Sequence, residues 1–169
     1  MSLSMYQASV PVFQQLLGGL NDVLSKAAAH ASARQIEQSA LLQSSLFPDM
    51  FPLLRQVQIA CDFAVGVAAR LAGEAVPVFV DDEQSFEALQ ERIKRALAFI
   101  HGLSPARFEG SESREITLRP GTPKERQLDG SAYLLSYGLP QFFFHVGSAY
   151  GVLRHSGVEI GKRDYMGVW

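Results

Sequence analysis

The sequence predicts an all-α protein, a four-helix bundle with a small β-hairpin inserted between its third and fourth helices. Three observations predict it. Four long stretches repeat apolar residues at helical spacing, glycine or proline punctuates their ends, and one short segment alternates instead. A chain of 169 residues fits a single domain over 1–169, because domains typically hold roughly 100–200 residues.

The first helix runs from Tyr6 to about Ala29, with Val10, Phe13, Leu16, Leu17, Leu20, Val23, Leu24 and Ala27 forming its buried stripe. Pro11 either lies in its first turn, with Ser9 near the cap, or kinks a helix begun near Ser4. Gly18 and Gly19 weaken it by about 1 kcal/mol each relative to alanine, and close approach of a neighbour is one reason to keep them. Residues 30–48 connect, with a short helical piece from Ile36 to Leu42.

Asp49 offers a cap and Pro52 a first-turn residue to the second helix, Met50 to Leu71, which Gly73 closes. A loop over 74–84 ends in Asp81, Asp82 and Glu83, charges that favour the helix N-terminus that follows. The third helix, Ser85 to His101, places Phe86, Leu89, Ile93, Ala96, Leu97 and Ile100 inside and Glu91, Arg92, Lys94 and Arg95 toward solvent. Glu115 to Arg119 and Lys124 to Leu128 flank a Pro-Gly turn and read as the hairpin. After one or two further turns over 129–138, Pro140 opens the fourth helix, which is apolar almost all round and ends at Gly157.

Composition excludes several classes. Apolar residues are 47%, charged residues 19% and the net charge is −2, so there is no basic surplus for nucleic acid. No charge-free run of about 18 apolar residues is present, which argues against a membrane span. The N-terminus lacks a basic segment leading into an apolar one, so no secretory leader is expected. The single cysteine, Cys61, rules out an intrachain disulfide and fits a reducing, cytoplasmic setting; it reads as a small core residue.

Chemistry concentrates on His145, a lone imidazole in the apolar fourth helix. Two helical metal ligands need a spacing of three or four residues, and His145 has Ser148 and Ala149 there. His155 lies about 15 Å further along the axis. Gln58 and Asp62 of the second helix are the partners nearest by pattern, and Tyr150, Lys162 and Asp164 complete the candidate pocket. Lys162 and Asp164 are expected to pin the tail through ion pairs. No cofactor is expected, although a divalent metal, if bound, would use His145 and Asp62. Gly157 to Arg163 is not a phosphate-binding loop: it lacks the glycine spacing, the Ser or Thr and the preceding strand. Phe142, Phe143 and Phe144 point in three directions, so at least one faces away from the core; such a face suggests a homodimer.

Several stretches together resemble an uncharacterised bacterial family, the domain of unknown function numbered nineteen ninety-three. They are Met5-Tyr6 with Val10-Pro11-Val12-Phe13, Pro48-Asp49-Met50, Gln56-Val57-Gln58, Ala69-Arg70-Leu71-Ala72-Gly73, Phe144-His145, Ala149-Tyr150 through Leu153-Arg154-His155, Gly157-Val158 and Gly161-Lys162-Arg163-Asp164. The resemblance implies the DinB/YfiT-like superfamily, whose up-and-down four-helix bundles are frequently dimeric. Many of its members hold a divalent metal with one second-helix histidine and a His-x-x-x-His pair on the fourth, and some are thiol-dependent transferases or isomerases. Here Gln58, Asp62 and Phe63 stand in the second-helix region and only His145 remains on the fourth. Two readings follow: a small-ligand-binding or interaction module with a degenerate metal site, or a metal- or thiol-dependent transferase or hydrolase using His145 and Asp62.

Overall fold

A computed structural model describes residues 3–168. The chain is predominantly helical with one two-stranded antiparallel sheet. Helix α1 (Met5–Ala33) starts at Ser4, whose hydroxyl accepts from the Gln7 N–H while the Gln7 side chain returns to the Ser4 N–H. Pro11 therefore lies inside α1, the second of the two expected placements. A short α2 (Gln38–Leu42) follows, and the side-chain amide oxygen of Gln38 accepts from the Phe86 N–H.

Helix α3 (Leu53–Ala72) begins after Pro52, so Asp49 does not cap it; the Leu53 N–H instead finds the Ser44 carbonyl. Gly73 ends it in the left-handed conformation, φ 71°. Helix α4 (Phe86–His101) is capped by the Ser85 hydroxyl at 3.1 Å from the Ala88 nitrogen. Strands β1 (Glu115–Leu118) and β2 (Arg126–Asp129) pair in the register Glu115 to Asp129 and Leu118 to Arg126.

The last long helix begins earlier than Pro140 predicts. Asp129 caps α5 (Gly130–Ala132), which runs through a π-helical turn, Tyr133–Gly138, straight into α6 (Leu139–His155). Proline lacks an N–H and its ring clashes with the carbonyl four residues back, so the helix widens ahead of Pro140 instead of ending. A last short helix, α7 (Lys162–Met166), folds back on α1. It approaches so closely that a Cβ on Gly19 would meet the Asp164 carbonyl oxygen at 3.0 Å, while Gly18 has open space around it.

The four long helices surround one apolar core, with Phe13 of α1 meeting Phe142 of α6 edge-on at 4.9 Å. Their neighbour order differs from the simple up-and-down expectation. Helix α1 packs mainly on α4 and α6, and α3 also packs on α4 and α6, so α1 and α3 lie across the core from each other. The residues joining α1 to α3, and α4 to α6, therefore cross diagonals, which explains why both connections are long and carry structure of their own.

Candidate functional site

Helix α3 presents two polar faces to two different neighbours. Gln56 and Phe63 are seven residues apart, two helical turns, and look toward α6. His145 of α6 is buried, its Nδ1 2.7 Å from the Gln56 Oε1. Its ring stacks on Phe63 and meets the edge of Phe144. Gln56 spends its amide nitrogen on the Phe51 carbonyl at 3.0 Å, which leaves its oxygen to accept and places the imidazole proton on Nδ1. Burial, with Arg55 adding to it, holds His145 below the usual histidine value of 6.5, in its neutral form.

The second face, Gln58 and Asp62, looks toward α4 and the loop over 74–84. Arg92 of α4 is the centre of a buried polar network and not the solvent-side residue its place in the helix pattern predicts: its side chain is 0% exposed. It donates to Glu83 at 3.0 and 3.3 Å, to Asp62 at 2.7 Å and to the Val80 carbonyl at 3.1 Å, and it pairs with Asp81 at 2.9 Å. Gln58 donates to Glu83 at 2.7 Å, and Arg55 bridges Gln58 and Asp81. Phe79 lies against the guanidinium groups of Arg92 and Arg95. Among buried side chains of the described residues, only the Arg92 Nε lacks a partner. Glu83 thus turns inward to a cation, beyond the helix-end role the sequence suggested. Burial raises the Asp62 carboxyl, and the Arg92 hydrogen bond opposes that shift.

His145 and Asp62, the expected pair, consequently have different partners, Gln56 and Arg92. Tyr150, Lys162 and Asp164 belong to the docking of the tail. Tyr150 meets Tyr165 edge-on, and Asp164 pairs with Lys26 at 2.5 Å while accepting from the Gly161 N–H at 2.7 Å. These contacts hold the Asp164 carboxyl below its usual range. Asp164 pins the tail as expected; Lys162 forms no ion pair among the described residues. Cys61 is fully buried and its thiol is pushed up to about 12, which makes it a core residue.

A cleft of about 180 Å³ opens where α3, the π turn and the hairpin meet. Phe63, Val67, Tyr133 and Tyr137 wall it, with Asp62, Arg70 and Arg119 as its charged groups. Tyr133 and Tyr137 stack with centroids 5.9 Å apart, and Tyr137 meets Phe63 edge-on. Arg70 donates to the Gly66 carbonyl at 3.0 Å and to the Tyr133 hydroxyl oxygen at 3.3 Å, both neutral acceptors. Gly66 makes room for it, since a Cβ there would stand 2.8 Å from the Arg70 Nη1. None of Arg70, Arg119 and Gly66 stood among the pocket residues expected from the sequence. Arg70 four residues after Gly66 is a helical spacing that signals the contact.

The surroundings of His145 do not fit a three-ligand metal centre. Nδ1 is engaged by an amide, aromatic rings cover two sides, and no cluster of three His, Cys, Asp or Glu able to hold a metal occurs among the described residues.

The architecture is that of a predominantly helical protein with a small sheet beside a cleft between α3, the π turn and the hairpin. The chain is similar to a crystal structure of a DinB family member from Shewanella denitrificans, with a TM-score of 0.91, 36% sequence identity, and coverage of 98% of this chain and 93% of that one. It belongs to the family described as Domain of unknown function (DUF1993), which matches residues 5–166. No curated protein matches it significantly. No helix among the described residues is long and apolar enough to cross a membrane.

Proposed function

We propose that this protein is a small-ligand-binding module, a four-helix bundle of DinB-like type with a degenerate metal site, acting in the cytoplasm. One observation carries the reading: the aromatic-walled cleft of about 180 Å³ between α3, the π turn and the hairpin. An apolar cavity of about 150 Å³ already admits a benzene ring, so this cleft has room for one ring and a small polar group. The test is a nuclear magnetic resonance titration with benzyl alcohol, a neutral ring probe. Shifts gathered at Phe63, Gly66, Val67, Tyr133 and Tyr137 support the reading, whereas none there up to millimolar probe refutes it.

The same reading keeps the homodimer. Phe47, Phe51, Phe143 and Phe144 remain exposed, while Phe142 is buried. The Phe51 carbonyl is bound by Gln56, the partner of His145, and the Phe144 ring meets His145, so two of these exposed residues flank one histidine. Sedimentation at micromolar concentration should show a dimer that Phe144→Glu dissociates, and a monomeric wild type would remove this part of the proposal.

A further inference from the structure

We infer that the ligand of this cleft is a small aromatic carboxylate, its ring against the wall formed by Phe63 and Tyr137 and its carboxylate held by Arg70 and Arg119; this rests on the ligand-binding reading above. The electrostatics carry it. Neither Arg70 nor Arg119 forms an ion pair with a carboxylate among the described residues. The one carboxylate at the cleft, Asp62, is bound to Arg92 at 2.7 Å, so the unbalanced charge facing the space is positive. Arg70 is half-buried, and two neutral acceptors orient its guanidinium. Such a planar, oriented fork matches carboxylate and phosphate alike, and a cleft of about 180 Å³ that must also take a ring favours the smaller, planar carboxylate. The Tyr133 oxygen accepts from Arg70, which leaves its O–H to donate into the cleft.

Arg119 supplies an independent observation. It holds φ 50° at the hairpin turn, a left-handed conformation that a residue with a side chain seldom adopts. Two bonds from Thr122 to the Arg119 carbonyl fix it, at 3.2 Å from the nitrogen and 2.9 Å from the hydroxyl. Strained residues of this type concentrate at ligand clamps, and this one lines the cleft. Beyond it a wider groove of about 620 Å³ carries Lys124 and Arg126. Its acid, Glu125, is engaged with the Gly121 N–H at 2.6 Å. The approach is thus positive on a chain whose net charge is −2. Size sets the other limit, since the cleft takes a single ring with its acid group and no larger fused system.

The experiment titrates the intact protein with benzoate and with benzamide, its neutral isostere, reading resonances at the cleft. Benzoate should bind at least about tenfold tighter, because charge-assisted bonds are roughly twice as strong as neutral ones. Arg70→Met should erase that margin by weakening benzoate far more than benzamide; if this variant does not fold, Arg119→Met in the exposed turn carries the same test. Equal affinities for the two probes at the cleft would overturn the carboxylate assignment and leave the ligand-binding reading standing. Failure of both probes, together with benzyl alcohol, to perturb the cleft would overturn both.

Discussion

Replacing Arg92 with methionine tests the polar network at the one cation its three carboxylates share. Methionine fills much of the apolar stem and removes only the cation. Glu83 is then left 2% exposed with a Gln58 donor at 2.7 Å and the weaker Arg95 contact at 3.5 Å. The Val80 carbonyl loses its donor as well. Breaking a buried pair by deleting one partner costs about 3–5 kcal/mol, and the remaining donors to Glu83 put this case at the low end, about 3 kcal/mol. Asp62 and Asp81, with side chains 44% and 43% exposed, return to water and add little. For a domain of this size the loss lowers the melting temperature by roughly 6–12 °C. Urea unfolding should show a lower midpoint with an unchanged slope. The decisive comparison is the double variant Arg92→Met with Glu83→Met, which removes both charges and should recover most of the loss. A single-variant loss below about 1 kcal/mol, or a double variant as destabilised as the sum of its singles, would refute the reasoning.

Three further outcomes follow from the packing and the titrating groups. Gly19→Val should cost about 1–3 kcal/mol and expose α7 to limited proteolysis, because its side chain collides with the Asp164 and Tyr165 carbonyls, whereas Gly18→Ala should be neutral or gain up to about 1 kcal/mol. His145 should titrate below 6.5 by nuclear magnetic resonance. A lowered folded value means that the unfolded chain binds the proton more readily, so stability is intact above 6.5 and falls as pH drops below it. His145→Gln should flatten that slope in urea midpoints, and an equal slope in the variant would assign it elsewhere. Cys61, pushed up to about 12 and fully buried, should react with iodoacetamide at pH 8 at least about a thousandfold more slowly in the native protein than in urea; comparable rates would contradict its burial.

The long helices were legible because their signals are local. Phe86, Leu89, Ile93, Ala96 and Ile100 make one buried stripe on α4, and Ser85 caps it where a serine before such a stripe should. The hairpin was legible from alternation around Pro120 and Gly121. Neighbour order was not, because it depends on which stripes meet across the core. That one unknown propagated to the site: α3 carries Gln56 with Phe63 on one face and Gln58 with Asp62 on another, and only the order α1, α4, α3, α6 tells which face His145 meets. Arg92 was misplaced for a related reason. Two of its three anions lie in a loop without periodicity, so nothing in the α4 pattern announces that Asp81 and Glu83 cover that flank.

The cleft itself traces to a few backbone constraints whose effect is only visible when they are combined. Pro140 cannot continue a regular helix, yet Asp129 starts one upstream and the apolar face of α6 must still reach the core, so the widened turn over 133–138 reconciles the two. Gly138 lets that turn sit against α3, where a Cβ would stand 2.7 Å from the Val67 side chain. Tyr133 and Tyr137 lie on this turn and form its wall of the cleft, while Gly66 opens the facing wall for Arg70. The same α3 segment carries Asp62, which the Arg92 network fixes from behind. The charge pattern of the cleft is therefore set by the packing of α4 and the loop over 74–84 on the far side of α3. Loosening that network with Arg92→Met frees the Asp62 carboxylate toward the cleft, so the benzoate-over-benzamide margin expected of the proposed site should shrink even though Arg92 itself lies outside it.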